Sequence, residues 1–134
     1  MEKGPTLQRT SSGIPVIVEE LPRSRTAALS VNYRVGSRDE SPEMCGAAHF
    51  LEHIMFKGTR LRNAKQFSEM VEGAGGEMNA YTTKESTSFH VFSLDETFEV
   101  MKGLMADMMT SPLIDEEHVE LERGVVLQEI SMLE

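Results

Sequence analysis

Residues 77–93 read EMNAYTTKESTSFHVFS. Two stretches rich in Thr, Tyr, Phe and Val, EMNAYTT (77–83) and STSFHVFS (86–93), flank the short Lys84-Glu85 turn. That pattern predicts two neighbouring strands of an antiparallel sheet. Just upstream, GAGG (73–76) ends a predicted helix. Asn63 and Gln66 stand at capping-box spacing at its start, and Phe67, Met70, Val71 and Ala74 form its apolar stripe. Those glycines follow a helix instead of a strand, so they are not a dinucleotide fingerprint. Downstream, Asp95 is expected to cap a helix with Phe98, Met101, Leu104, Met105 and Met108 on one face. A methionine stripe at that spacing reads as core packing. After Ser111-Pro112, Asp115 is expected to cap a last helix, with Glu116 and Glu117 favourably placed in its first turn.

The N-terminal half completes the pattern. TLQRT (6–10) and PVIVEE (15–20) flank a Ser-Ser-Gly turn and read as a hairpin. TAALSVNYRV (26–35) alternates, with Leu29, Val31, Tyr33 and Val35 on one side and Ser30, Asn32 and Arg34 on the other, as a half-buried strand does. Gly36 to Pro42 is a polar loop. Residues 44–57 read as a helix with Gly58 at its C′ position. Strands, helices, a hairpin and further helices in that order predict an α+β fold, a two-layer α/β sandwich with a largely antiparallel sheet. At 134 residues and 15.0 kDa, with no linker or repeat, residues 1–134 read as one domain.

Composition narrows the function classes. A formal net charge of −9 argues against nucleic acid as a partner, because phosphate binding needs clustered positive charge. One cysteine rules out an intramolecular disulfide framework. No apolar run approaches the ~18 residues of a membrane span, so no membrane partner is expected. MEKGPTLQRT at the N-terminus has no apolar core of a secretory signal and no Arg-rich amphipathic pattern, which places the chain in the cytoplasm.

The chemistry concentrates in HFLEH, residues 49–53. On a helix, His49 and His53 lie one turn apart on one face, close enough for both imidazoles to reach one tetrahedral Zn2+. Glu52 shares that face and can hold a water without occupying a ligand position. This is the inverted zinc signature H-x-x-E-H. Its apolar neighbours Phe50, Leu51 and Ile54 weaken the alternative of a solvated face, since polar groups in such a setting are costly unless paired or metal-bound. A catalytic zinc of this type needs a third protein ligand. The last helix offers two carboxylates in register, Glu122 and Glu129, two turns apart beside an apolar stripe of Val119, Val126, Ile130 and Leu133. Glu116, Glu117 and Glu120 read as solvated. His90 reads as a packed or half-exposed histidine, His118 as a surface one, and Cys45 as a packing residue.

HFLEHIMFKGT, then GGEMNAYTTKEST, then ERGVVLQEI resemble the pitrilysin family of zinc metallopeptidases, which includes insulin-degrading enzyme and the mitochondrial processing peptidase. The similarity runs from about residue 7 to the end and is greatest to the short processing-peptidase-like bacterial and archaeal members. The resemblance implies His49, His53 and Glu129 as the ligands of one Zn2+ and Glu52 as the catalytic base. It implies Glu122 as a second acidic residue supporting the site. Asn79 and Ala80 fall on the edge strand that binds substrate backbone in the family, and Tyr81 falls near a side-chain subsite. The implied activity is zinc-dependent endopeptidase cleavage of extended peptides or small unfolded proteins. The resemblance also implies that the chain is the N-terminal part of the family's first domain. The partner would then be a second homologous domain, a subunit or a second copy. In the family the second half supplies an Arg and a Tyr that bind substrate and stabilise the oxyanion. Two alternatives stand beside this: a non-catalytic partner subunit, or a small domain that holds metal or extended peptides without cutting them. Intact His49, Glu52, His53 and Glu129 argue against the former.

Overall fold

The computed structural model describes residues 4–133. Strands β1 (Thr6–Arg9) and β2 (Pro15–Val18) form the expected hairpin, closed at Gly13, whose positive φ of 87° suits its turn. Strands β3 (Thr26–Tyr33), β4 (Glu77–Thr82) and β5 (Thr87–Leu94) form a separate antiparallel sheet in the order β3-β5-β4. Helices α1 (Ala47–Met55), α2 (Ala64–Gly73) and α3 (Phe98–Thr110) cover one face of it, and α4 (Glu116–Leu133) lies against α1. This is the expected α+β class with an antiparallel sheet.

The register explains the layering. Val31 pairs with Phe89 and Phe89 with Ala80, while Leu29 pairs with Val91 and Val91 with Met78. Directly paired residues share a face, and this face meets Met101, Leu104, Met105 and Met108 of α3 and Phe67 of α2 in one buried cluster. The methionine stripe is core, as its spacing predicts. The opposite face carries Tyr81, His90 and Phe92, and both Tyr81 and Phe92 stand about half exposed. Asn63 and Gln66 form the predicted reciprocal capping box at 2.9 and 3.0 Å.

Several boundaries differ from expectation. The helix expected over 44–57 is only Ala47–Met55. Pro42–Met44 form a separate 3-10 turn, and Gly46 at φ 89° breaks the run before α1 begins. At the other end the helix closes at Phe56, two residues before Gly58. Gly58 serves a tight loop instead: its φ is 115°, and a Cβ there would lie 2.8 Å from Arg62 O. Strand β3 stops at Tyr33, and Tyr33 and Val35 are exposed instead of half-buried. The apolar stripe expected on α4 is buried only in part: Val126 is covered and Val119 half-buried, but Ile130 is 47% exposed. The side chain of Leu133 and residues 1–3 of the N-terminal stretch lie outside the described residues. Cys45, expected to pack, is exposed. No helix among the described residues is long and apolar enough to cross a membrane.

Candidate metal centre

Helix α1 buries Ile54 and Met55 and leaves His49, Glu52 and His53 half-buried. Its N-terminus is held by a residue outside the helix: Gly46 and Ala48 N–H donate to the two carboxylate oxygens of Glu40, at 2.7 and 2.8 Å. Asp115 immediately precedes helix α4, and its Oδ1 accepts the N–H of His118 at 2.9 Å. That bond, followed by one from the His118 ring, holds the Asp115 carboxyl below its ordinary value. His118 is thereby half-buried, not the free surface residue expected.

Nearly two turns and more than three turns beyond its start, α4 brings Glu122 and Glu129 over α1. His49 Nε2, His53 Nε2 and Glu129 Oε2 converge, separated by 3.1 Å (His49 to His53), 3.5 Å (His53 to Glu129) and 3.8 Å (His49 to Glu129). A tetrahedral ion with ligand bonds of about 2.0–2.1 Å has ligand-to-ligand edges of about 3.3–3.4 Å. The three atoms therefore fit one face of such a tetrahedron within about half an ångström. The Glu129 side chain is 45% exposed. Among the described residues this is the one group of three such side chains close enough to share an ion.

Glu122 does something different. It is 4% exposed, its Oε2 lies 3.2 Å from His53 Nδ1, and its Oε1 lies 2.6 Å from Lys57 Nζ. A carboxylate only accepts, so Nδ1 carries the proton and Nε2 presents its lone pair to the shared vertex. With a metal ion held by Nε2, carboxylate and imidazole would form the relay that commonly orients metal-ligating histidines. Lys57 balances the buried charge. Of the two carboxylates left open by spacing alone, Glu129 points at the cluster and Glu122 backs it.

Glu52 accepts a hydrogen bond from the Thr82 hydroxyl, at the end of β4. An apolar cavity of about 330 Å3 opens beside it, lined by Tyr33, Val35, Leu51, Met55 and Phe89. β4 pairs with β5 on one side only. The Thr83 N–H to Ser86 O bond of 2.8 Å closes the hairpin. Bonded and non-bonded pairs alternate from there, so Tyr81 and Asn79 bond to β5 while Thr82, Ala80 and Met78 turn their backbone groups to the free edge. Asn79 and Ala80 thus play different parts: the Asn79 side chain accepts the Ala80 N–H at 2.8 Å. Tyr81 lies on the outer face, its ring 6.1 Å from that of His90.

Lys57 and Thr82 escaped the sequence reading. Thr82 stands two residues after Ala80 on the same strand face, a signal that could have found it, whereas Lys57 lies in the turn beyond α1.

The family model described as Insulinase (Peptidase family M16) matches residues 15–134. An uncharacterized zinc protease of Streptomyces coelicolor is 44% identical over 131 residues, covering 96% of this chain and 28% of the relative. A probable mitochondrial-processing peptidase subunit beta of Arabidopsis thaliana is 37% identical over 123 residues, covering 92% of this chain and 23% of the relative. Among solved structures, a protease from Helicobacter pylori superposes with a TM-score of 0.88 at 30% identity, covering 96% of this chain and 31% of that one. Pitrilysin superposes with a TM-score of 0.84 at 26% identity, covering 98% of this chain and 14% of that one. The chain spans less than a third of the length of each of these proteins.

Proposed function

The chain belongs to the insulinase family of peptidases, and from that premise we propose that it carries the zinc site and the general base of an endopeptidase acting on extended peptides or small unfolded proteins. His49, His53 and Glu129 would hold one Zn2+. The observation that carries this reading is the convergence of their three ligand atoms at 3.1–3.8 Å. Zinc bound there would polarise the scissile carbonyl and bring the pKa of a bound water down towards ~7.

The chain's own residues supply the rest. Glu52 takes the proton of the attacking water as oxygen bonds to the carbonyl carbon, then gives it to the leaving amine nitrogen as the C–N bond breaks. Thr82 holds one Glu52 oxygen, leaving the other for the water. Glu122 keeps His53 in the tautomer that binds metal, and Lys57 keeps that buried carboxylate balanced. The free edge of β4 receives substrate as an added strand through the backbone groups of Met78, Ala80 and Thr82. Asn79 yields the Ala80 N–H as the substrate carbonyl arrives. The cavity beside Glu52 takes an apolar side chain next to the cleaved bond.

A second reading is favoured by the fraction of each relative that the chain spans: a segment that holds zinc and peptide but needs further protein to cut. One experiment covers both. Zinc content and cleavage of a quenched fluorescent peptide are measured for the chain and for Glu52→Gln. About one zinc in each, with cleavage in the first alone, is the expected result. Zinc in both and cleavage in neither supports the second reading, and absence of zinc from the wild-type chain overturns both.

A further inference from the structure

The loop joining β3 to α1 touches both halves of the site. At its start Gly36 lies so close to the β4–β5 turn that a Cβ would stand 2.3 Å from Thr83 O and 2.6 Å from Glu85 N. Ser37 N–H donates to Thr83 O at 3.1 Å and Arg38 N–H to Lys84 O at 2.9 Å. Arg38 also pairs with Glu85, and Asp39 turns back to accept the Gly36 N–H at 3.0 Å. At its end Glu40 reaches the start of α1 with both oxygens. One short segment therefore docks on the turn that ends the edge strand and grips the helix that carries both histidines.

That grip answers a local need. The first N–H groups of a helix have no partners within it, and the residue at the cap, Gly46, has no side chain to offer. His49 is the third residue of α1, so its imidazole is carried by the turn those N–H groups begin. A cation beside that turn also faces the positive end of the helix dipole. A carboxylate at this end satisfies the N–H groups and offsets the field together.

We propose that Glu40 is a positioning residue for the metal centre: its bidentate hold on Gly46 and Ala48 sets the first turn of α1, and with it the direction of His49 relative to the β4 edge. The proposal rests on the zinc reading given above. Its test is zinc affinity, by competition with a chromophoric chelator, for the 134-residue chain and for Glu40→Ala and Glu40→Gln. Thermal unfolding of the metal-free proteins, their amide exchange at Gly46 and Ala48, and the visible spectrum of the Co2+-loaded forms are measured alongside.

Glu40→Ala is expected to weaken zinc binding about tenfold, on the scale of residues that orient ligands without touching the metal. Glu40→Gln, with one accepting oxygen, is expected to fall between Ala and wild type. Exchange at Gly46 and Ala48 should quicken in both, and the Co2+ bands should shift. Should Glu40→Ala fail to fold, Glu40→Gln decides. Affinities within about twofold of wild type in the folded variants overturn the proposal while leaving the zinc site standing. An affinity loss with an unchanged Co2+ spectrum, matched by an equal loss of metal-free stability, also overturns it in favour of a purely structural role. A wild-type chain that binds no zinc overturns the underlying reading itself.

Discussion

Helices α1 and α4 meet at the candidate metal centre, but they are held in place by different forces. α1 is fixed on three sides: Ile54 is 1% exposed against the core, Glu40 holds the N-terminus, and the Phe56 N–H closes the C-terminus on His53 O. α4 fully buries only Glu122 and Val126 among its described side chains, while Leu121, Val125, Leu127, Ile130 and Met132 are all exposed. The most buried side chain of α4 is thus a carboxylate bonded to His53 and Lys57, with Val126 sunk one turn beyond it. Two of the proposed ligands stand on an element placed mainly by apolar packing, and the third stands on one whose seat combines a valine with the polar contacts of the site.

Three substitutions probe that contrast. Ile54→Ala should cost about 2–5 kcal/mol of stability in urea unfolding, because it opens a cavity under the anchored helix. A cost below 1 kcal/mol would mean that α1 does not depend on the core in the way its burial implies. Glu122→Gln should fold, yet bind zinc about 10–100-fold more weakly, since it removes the charge that holds His53 and balances Lys57. Unchanged affinity in the chelator competition would show that α4 is seated without this contact. Leu121→Ser, on the exposed face of α4, should change stability by no more than about 0.5 kcal/mol. A larger loss by the same unfolding measurement would reveal that the outer face of α4 is covered in solution.

The parts of the site legible in the sequence are those set by local periodicity. His49, Glu52 and His53 share a helix face because of i, i+3 and i+4 spacing, whatever surrounds them. The same holds for the methionines of α3 and the capping box at Asn63. Glu122 and Glu129 were equivalent by spacing, and only the crossing of α4 over α1 separates the carboxylate that faces the cluster from the one behind it. Glu40 lay unremarked in a polar loop, since its partners are backbone N–H groups, which leave no mark in a string of side chains. The same blindness misplaced the ends of α1: Gly46 and Gly58 take positive φ for reasons found in their neighbours. On α4 the periodic pattern was real, but periodicity names a face without saying whether anything lies against it.

The docking of the β3–α1 loop on the β4–β5 turn is made from main-chain groups at Ser37, Arg38, Thr83 and Lys84. Every residue except proline has the N–H that positions 37 and 38 contribute, and every residue has the carbonyl that positions 83 and 84 contribute. Apart from the Arg38–Glu85 pair, the side chains there can change without removing the main-chain bonds of the joint. Gly36 has no such latitude, because the space a Cβ would need is already filled by Thr83 O. The geometry between edge strand and metal-binding helix can thus outlast extensive rewriting of the letters around it, with one glycine as the point where a single change would be felt.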